Sequence, residues 1–301
     1  MKRVLLSVLA GVGFCVAGAA VARAQTSGAG NSVPSAINRS GAPVDVERVI
    51  RTFAQKETEA RKALNQYAFR RDAVIQTIGF GGQVSGEYHR TSGFVFDDSG
   101  TRYEKILFFP QPTIQEIQVS PEDIEDLGGV NAFALEASKI NDYNFSYVGK
   151  EKIDELDTYV FDVTPKVLSD SGRLASLKHS KTPERYFQGR IWVDDQDYQI
   201  VKARGKGVPE FEQRFPTFET YRQQIDGKYW FPTYSYADDT LTFKGGQVTH
   251  VRMLIKYTDF QRLKGRVTVV EEGDPGDTKD KNPPPPKPAA TPTPPPAKPK
   301  P

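Results

Sequence analysis

The chain has 301 residues, with 40 Lys and Arg against 38 Asp and Glu, three histidines, one cysteine and 38% hydrophobic residues. A mean hydropathy of -0.53 and a single long apolar run near the N-terminus leave no internal stretch of the roughly 20 apolar residues that a membrane-crossing helix needs, and the charge balance gives no support to a nucleic-acid role, which needs a basic stripe to displace counterions from phosphate. Half of the 22 prolines fall in residues 283–301, so the ordered part is shorter than the total, enough for one large domain or two small ones.

Residues 1–24 read as an export signal. Lys2 and Arg3 give the positive start, Val4 to Val21 the apolar run, and Ala22-Arg23-Ala24 the small residues required before the cut. A retained anchor is the alternative, because the run is near spanning length. Lipidation at Cys15 is disfavoured, because Phe14 stands where a small residue is required. Cleavage makes Gln25 the first mature residue, removes the only cysteine and leaves 37 basic against 38 acidic residues. The expected compartment is therefore the periplasm, and the fold must hold without disulfides. Residues 25–43 are small, polar and aperiodic, a flexible leader.

Order is expected to begin near Val44. Val46, Ile50, Phe53, Ala60 and Leu64 form one apolar stripe on an amphipathic helix over 44–66. Beyond Gln66 the period changes to two, and strands are expected at 67–78, 84–96, 101–109, 113–119, 145–152, 156–164, 185–194, 198–206, 217–226, 229–236, 240–244 and 247–260. Asp97-Asp98-Ser99-Gly100, Asp194-Asp195-Gln196-Asp197, Asp226-Gly227 and Gly245-Gly246 suit hairpin turns, so successive strands should pair antiparallel in one long meander. Ser120-Pro121-Glu122-Asp123 carries a helix N-cap, a proline and first-turn acids, with Gly128-Gly129 as the stop. The connection 166–184 reads as a lid, an extra helix or a mobile segment. Its basic members Lys166, Arg173, Lys178, His179 and Lys181 could meet an anionic head group, though a solvated loop is the plainer reading. Domain order is expected over 44–272, and residues 273–301 read as a disordered proline-rich tail, with the stretch from Asn282 stiff and near polyproline II.

Chemical motifs are faint. The sequence has no zinc-protease HExxH, phosphate-binding Walker loop or GxSxG elbow, and His89, His179 and His250 are far apart. Gly79-Phe80-Gly81-Gly82 lacks the helix of a phosphate cradle and reads as a strand bend. Asp194, Asp195 and Asp197 lack the glycine and distal glutamate of a calcium loop and read as a solvated turn. No catalytic residue, cofactor or metal is expected.

Three runs carry a family resemblance: YVFDVTPK (159–166), GRIWVDDQDYQIVKARGKG (189–207) and GKYWFPTYSYADD (227–239). A strand ending in proline, followed by a Trp-Val-Asp hairpin, resembles the second half of the LolA-like outer-membrane lipoprotein-sorting carriers. The resemblance covers about 44–260 and is strongest over 156–236. It implies a mainly β, α+β fold: a strongly curved antiparallel sheet forming an unclosed barrel, with helices over the concave face and an apolar cavity for acyl chains. The sheet side chains expected to line that cavity are Phe69, Ile75, Leu107, Phe109, Tyr159, Phe161, Phe187, Ile191, Val193, Leu241, Phe243, Val251, Met253 and Ile255. Trp192 and Trp230 have the opposite parity and belong on the outer face or rim. The expected partners are lipid or lipoprotein acyl chains and the inner- or outer-membrane proteins that would load or receive them. A sensor or adaptor on the same fold, recognising lipid or a partner protein, is the alternative. An unrecognised hydrolase is a third.

Overall fold

Ten strands form one antiparallel sheet in the order β3-β2-β1-β10-β9-β8-β7-β6-β5-β4. The computed structural model describes residues 37–38, 43–128, 135–180, 183–211 and 214–263. The expected signal, most of the leader, Gly129, Lys181 and the proline-rich tail lie outside these residues, as does the second of the two units into which the chain divides, residues 264–301.

The strands are β1 (Tyr67–Ile78), β2 (Val84–Phe96), β3 (Arg102–Phe108), β4 (Tyr143–Ile153), β5 (Leu156–Pro165), β6 (Tyr186–Asp194), β7 (Ile200–Val208), β8 (Phe218–Ile225), β9 (Tyr229–Thr242) and β10 (Val248–Arg262). The chain enters mid-sheet at β1, builds outward to β3, crosses to the far edge and meanders back from β4 to β10, which pairs with β1. The edges β3 and β4 do not meet, so the sheet is an open curved half-barrel.

Twelve expected strands become ten. Residues 229–236 and 240–244 are one strand, because Ala237, Asp238 and Asp239 stay paired with Met253, Arg252 and Val251 of β10. The aspartates tolerate this because each has a partner: Asp238 accepts from Arg252 and contacts His250, and Asp239 accepts from the Thr217 N–H. Residues 113–119 are not a strand. Pro110 and Pro112 interrupt pairing before them, and their links to β2 are local: the Thr113 N–H donates to the Glu87 carbonyl, the Glu87 N–H to the Thr113 hydroxyl, and the Ser85 hydroxyl to the Glu116 carboxylate.

Helix α1 (Val46–Leu64) starts at Asp45, whose carboxylate accepts from the Arg48 N–H at 3.0 Å, and has Arg61 and Lys62 in its last turn, where cations suit the helix dipole. It buries Val49, Phe53, Ala54, Glu57, Ala60, Ala63 and Leu64, so the stripe is one residue off the expected one at its start, with Val46 and Ile50 only half-buried. Phe53 meets Phe145 of β4 at 5.6 Å and Phe161 of β5 at 6.1 Å between ring centroids. Glu57 receives both terminal nitrogens of Arg222 from β8, at 2.6 and 3.0 Å. Arg102 of β3 donates to the Leu64 carbonyl at 2.6 Å. The helix thus crosses the apolar face of the sheet, and the protein's own side chains fill the space beneath it.

Helix α2 (Pro121–Leu127) forms where the sequence placed it, and α3 (Ser171–His179) gives helical form to part of the connection 166–184. The basic residues of that connection serve the fold: Lys166 donates to the Asn141 carbonyl, and Arg173 donates to Asp142 and to the Tyr186 hydroxyl. Lys178 and His179 sit in the last turn of α3. Ahead of α1, Asn38 exchanges backbone hydrogen bonds with Lys150 of β4 at 2.8 and 2.9 Å. Gly149, at φ 147°, permits that approach: a β-carbon there would stand 2.8 Å from the Asn38 carbonyl oxygen.

Candidate functional site

Toward α2 the filling of the half-barrel stops. A cavity of about 300 Å³ lies over the middle of the sheet, with a floor made by Ile75 of β1, Leu241 of β9, Phe243 just beyond it, and Val251 and Met253 of β10. These residues face one way because they alternate with polar neighbours along paired strands, and Ile75 lies directly opposite Met253 in the β1–β10 register.

One wall is the chain over 116–119, which crosses the ends of β2, β1 and β10. Glu116 fixes it: its carboxylate accepts from Thr77 at 3.2 Å and Ser85 at 3.3 Å, and its carbonyl accepts from Gln247 at 3.1 Å. The main-chain N–H groups of Glu116 and Gln115, aided by those hydroxyls, hold this carboxyl below the usual carboxylate range. Nearby, Gly86 is needed for close approach, because a β-carbon there would lie 2.7 Å from the Ile114 Cα.

Helix α2 forms the next side of the cavity. Ser120 and Asp123 cap it reciprocally, the Ser120 hydroxyl accepting from the Asp123 N–H at 3.1 Å while the Asp123 carboxylate accepts from the Ser120 N–H at 2.9 Å. Arg185, just before β6, latches the helix by donating to Asp123 at 3.0 Å and Asp126 at 2.6 Å. Burial pushes the Asp126 carboxyl above its ordinary pKa even with that guanidinium beside it. At the far end of the helix the Ser235 hydroxyl of β9 donates to the Leu127 carbonyl at 2.6 Å. Leu127 and Asp123 both line the cavity.

The opposite wall is 214–216. Arg214 is held by main-chain acceptors, the Thr242 carbonyl at 2.9 Å and the Glu210 carbonyl at 3.3 Å. Phe215 lies under the Arg185 guanidinium, 4.6 Å from ring centroid to charge, so the latch on α2 and this wall share one residue. The result is a mostly apolar chamber with charged groups, Glu116, Asp123 and Arg214, among its lining residues. Such a chamber offers non-directional burial to a hydrocarbon chain. Among the described residues no cluster of His, Cys, Asp or Glu is arranged to hold a metal ion.

Of the fourteen residues named from the sequence, Ile75, Leu241, Phe243, Val251 and Met253 come together in this cavity. Phe69 lies between Phe94, Tyr257 and Phe260. Phe161, Phe187, Ile191, Val193 and Ile255 are packed in the continuous core, and Tyr159 is half-buried over Tyr147 and Tyr198. Leu107 and Phe109, at 51% and 44% exposure, lie on and just after the edge strand β3, where no further described strand covers them. Trp192 joins Val160 and Val201 in a small cluster on the other face of the sheet, with Trp230 against it. The three turn aspartates are occupied by the fold: Asp194 accepts from two backbone N–H groups, Asp195 from Lys150, and Asp197 from the Trp230 indole. The walls were not foreseen. Ile117 and Val119 alternate as a strand would, and 214–216 carries no periodic signal.

No family model and no curated relative matches the chain. Several solved structures do. A LolA-superfamily protein from Nitrosomonas europaea is 16% identical, covering 74% of this chain and 95% of its own, with a TM-score of 0.33. A DUF1329-family protein from Desulfovibrio piger is 15% identical over 73% of this chain and 94% of its own, with a TM-score of 0.35. A putative outer membrane lipoprotein-sorting protein domain from Vibrio parahaemolyticus is 12% identical over 72% and 93%, with a TM-score of 0.28. The names match the resemblance seen in the sequence, but likenesses at these TM-scores assign no function to the chain.

Proposed function

We propose that the protein is a non-catalytic periplasmic carrier that holds the acyl part of a lipid or lipoprotein in the cavity beneath α2. The observation that carries this reading is a mostly apolar chamber of about 300 Å³ between a sheet face and a short helix tied down by Arg185. At roughly 30 Å³ per water-sized group, the space takes on the order of ten methylene groups. Each contributes about 0.8 kcal/mol on burial, so the gross gain is ~8 kcal/mol before the costs of association. One acyl chain fits this capacity better than several.

Release needs no chemistry. Lifting α2 breaks the Arg185 latch and the Ser235 hydrogen bond to the Leu127 carbonyl, and it exposes the floor. The test is purification of the protein from its native host, solvent extraction and mass spectrometry. Lipid at one chain per protein is the expected result, and a cavity that never holds lipid sinks the reading. A second reading, an adaptor that binds a protein, is favoured by the exposed apolar run Tyr103, Ile106, Leu107, Phe108 and Phe109 along the β3 edge. A protein that co-purifies with an empty carrier would support that alternative.

A further inference from the structure

The tetrapeptide Gly-Gly-Gln-Val occurs twice, at 81–84 and 245–248, and the fold brings the two copies together. The first closes the β1–β2 hairpin and the second the β9–β10 hairpin. Because β1 pairs with β10, and Ile78 is the partner of both Val84 and His250, the two tips are neighbours at one end of the sheet. They close alike. The Gly79 N–H donates to the Gln83 carbonyl and the Gly82 N–H to that of Gly79; the Phe243 N–H donates to the Gln247 carbonyl and the Gly246 N–H to that of Phe243. In this correspondence Phe80 and Lys244 hold the same corner of their turns.

That corner is oddly furnished for water. Phe80 is fully exposed, and Val84 and Val248 are 48% and 61% exposed. Lys244 is the single charged residue in 79–84 and 244–248. Gly82, Gly245 and Gly246 have open space where a side chain would be, so the ring stands out from a bare turn. The same end borders the cavity: Phe243 lines it, and Gln247 donates to the carbonyl of Glu116 in its wall. The Glu116 carboxylate itself is turned to Thr77 and Ser85.

We propose that the paired tips form a membrane-docking edge, in which Phe80, Val84 and Val248 enter the interface of a phospholipid bilayer with Lys244 at its head groups. A protruding ring on a bare glycine turn offers no shaped surface to a folded partner, whereas the soft boundary of a leaflet requires none. Few side chains enter, so the attachment is weak and reversible. It rests on the cavity reading for its purpose, since it would hold the mouth of the chamber against the source or sink of acyl chains. Its geometry stands independently.

The test uses the full chain and vesicles of phosphatidylcholine with phosphatidylglycerol. In Phe80→Trp the new indole is expected to shift its emission to the blue and to be quenched by brominated lipid, while Trp192 and Trp230, packed on the sheet, are not quenched. Phe80→Asp is expected to reduce vesicle partitioning by about tenfold or more with an unchanged melting temperature, as its exposure allows. Absence of quenching, or equal partitioning of Phe80→Asp and the natural protein, overturns the proposal. So does a lipid-independent doubling of mass that Phe80→Asp abolishes, which would make the tips a contact between copies. Binding of a fluorescent fatty acid in vesicle-free solution is read separately: its loss with docking intact would remove the cavity reading and leave the docking edge standing.

Discussion

A β-carbon on Gly128 would stand 2.0 Å from the Tyr257 hydroxyl oxygen, so the end of α2 fits β10 only because that position has no side chain. Among the described residues the hydroxyl is buried without a hydrogen-bond partner of good geometry; burial pushes its pKa up to about 12, although the nearby Arg71 guanidinium pulls the other way. Gly128→Ala is expected to cost about 1–3 kcal/mol in urea unfolding. Tyr257→Phe, which removes a buried oxygen that makes no well-formed hydrogen bond, should be neutral or stabilising by up to ~1 kcal/mol and should rescue much of the Gly128→Ala loss in a double-mutant cycle. Additive effects would show that the two residues do not touch. Glu57 and Arg222 are the other decisive pair. Glu57 is buried and Arg222 partly so, and the Arg222 Nε has no partner among the described residues. Glu57→Gln leaves the guanidinium uncompensated, and the unfolding free energy should fall by about 3 kcal/mol or more. Position 57 continues the three–four spacing of the apolar stripe, so periodicity places Glu57 on the buried face, while its charge alone would put it in water.

At the scale of elements, the cavity floor and the edge strand respond to different perturbations. Val251→Phe adds volume to the floor. In a filled core such an addition costs about 1–3 kcal/mol, but where the space is vacant the melting temperature should hold while fatty-acid affinity falls. A stability loss with affinity unchanged would show that the chamber is not the binding site. Strand β3 is tied to its neighbours through Glu104, which receives Arg71 and Arg90, each at 2.9 Å. Burial raises the Glu104 carboxyl, but the Ser92 hydrogen bond and the two guanidinium groups outweigh it, so its pKa lies below the ordinary value. A depressed carboxylate pKa contributes stability that is present above the unfolded-state value and lost as pH falls through the folded-state value. Glu104→Gln should therefore be less stable than the natural protein at neutral pH, with the difference disappearing in acid. A deficit that persists to low pH would assign the loss to packing instead of charge.

For the whole molecule, the two sheet edges are treated differently. The β4 edge is blunted by Asn38, whereas no other described strand pairs with the outer side of β3, which carries exposed Ile106, Leu107 and Phe108, with Phe109 just beyond it. An apolar open edge is a template for another strand. Light scattering should show concentration-dependent association of the natural protein, and Phe108→Lys should suppress it without changing the melting temperature. Association that survives this change would move the contact elsewhere.

The elements were legible wherever local physics decides them. The Asp45 cap and apolar stripe make α1, the Ser120–Asp123 box makes α2, and alternation with Asp and Gly turns makes a meander whose successive strands pair. Five floor residues of the cavity followed from the same alternation, because facing one side of a strand is a local property. Which part of that side stays vacant is not local. Phe161 and Met253 carry the same signal, yet one is covered by Phe53 and the other opens on the chamber, since only the crossing of α1 and the short span of α2 decide how far the filling extends. Leu107 and Phe109 alternate like interior residues but end outside, because burial on a strand requires a neighbour and β3 is the last in the sheet. The chain thus determined its own periodicities, caps and turns; the tertiary structure alone decided where apolar surface remained uncovered, because vacancy and exposure depend on what distant segments bring to the same place.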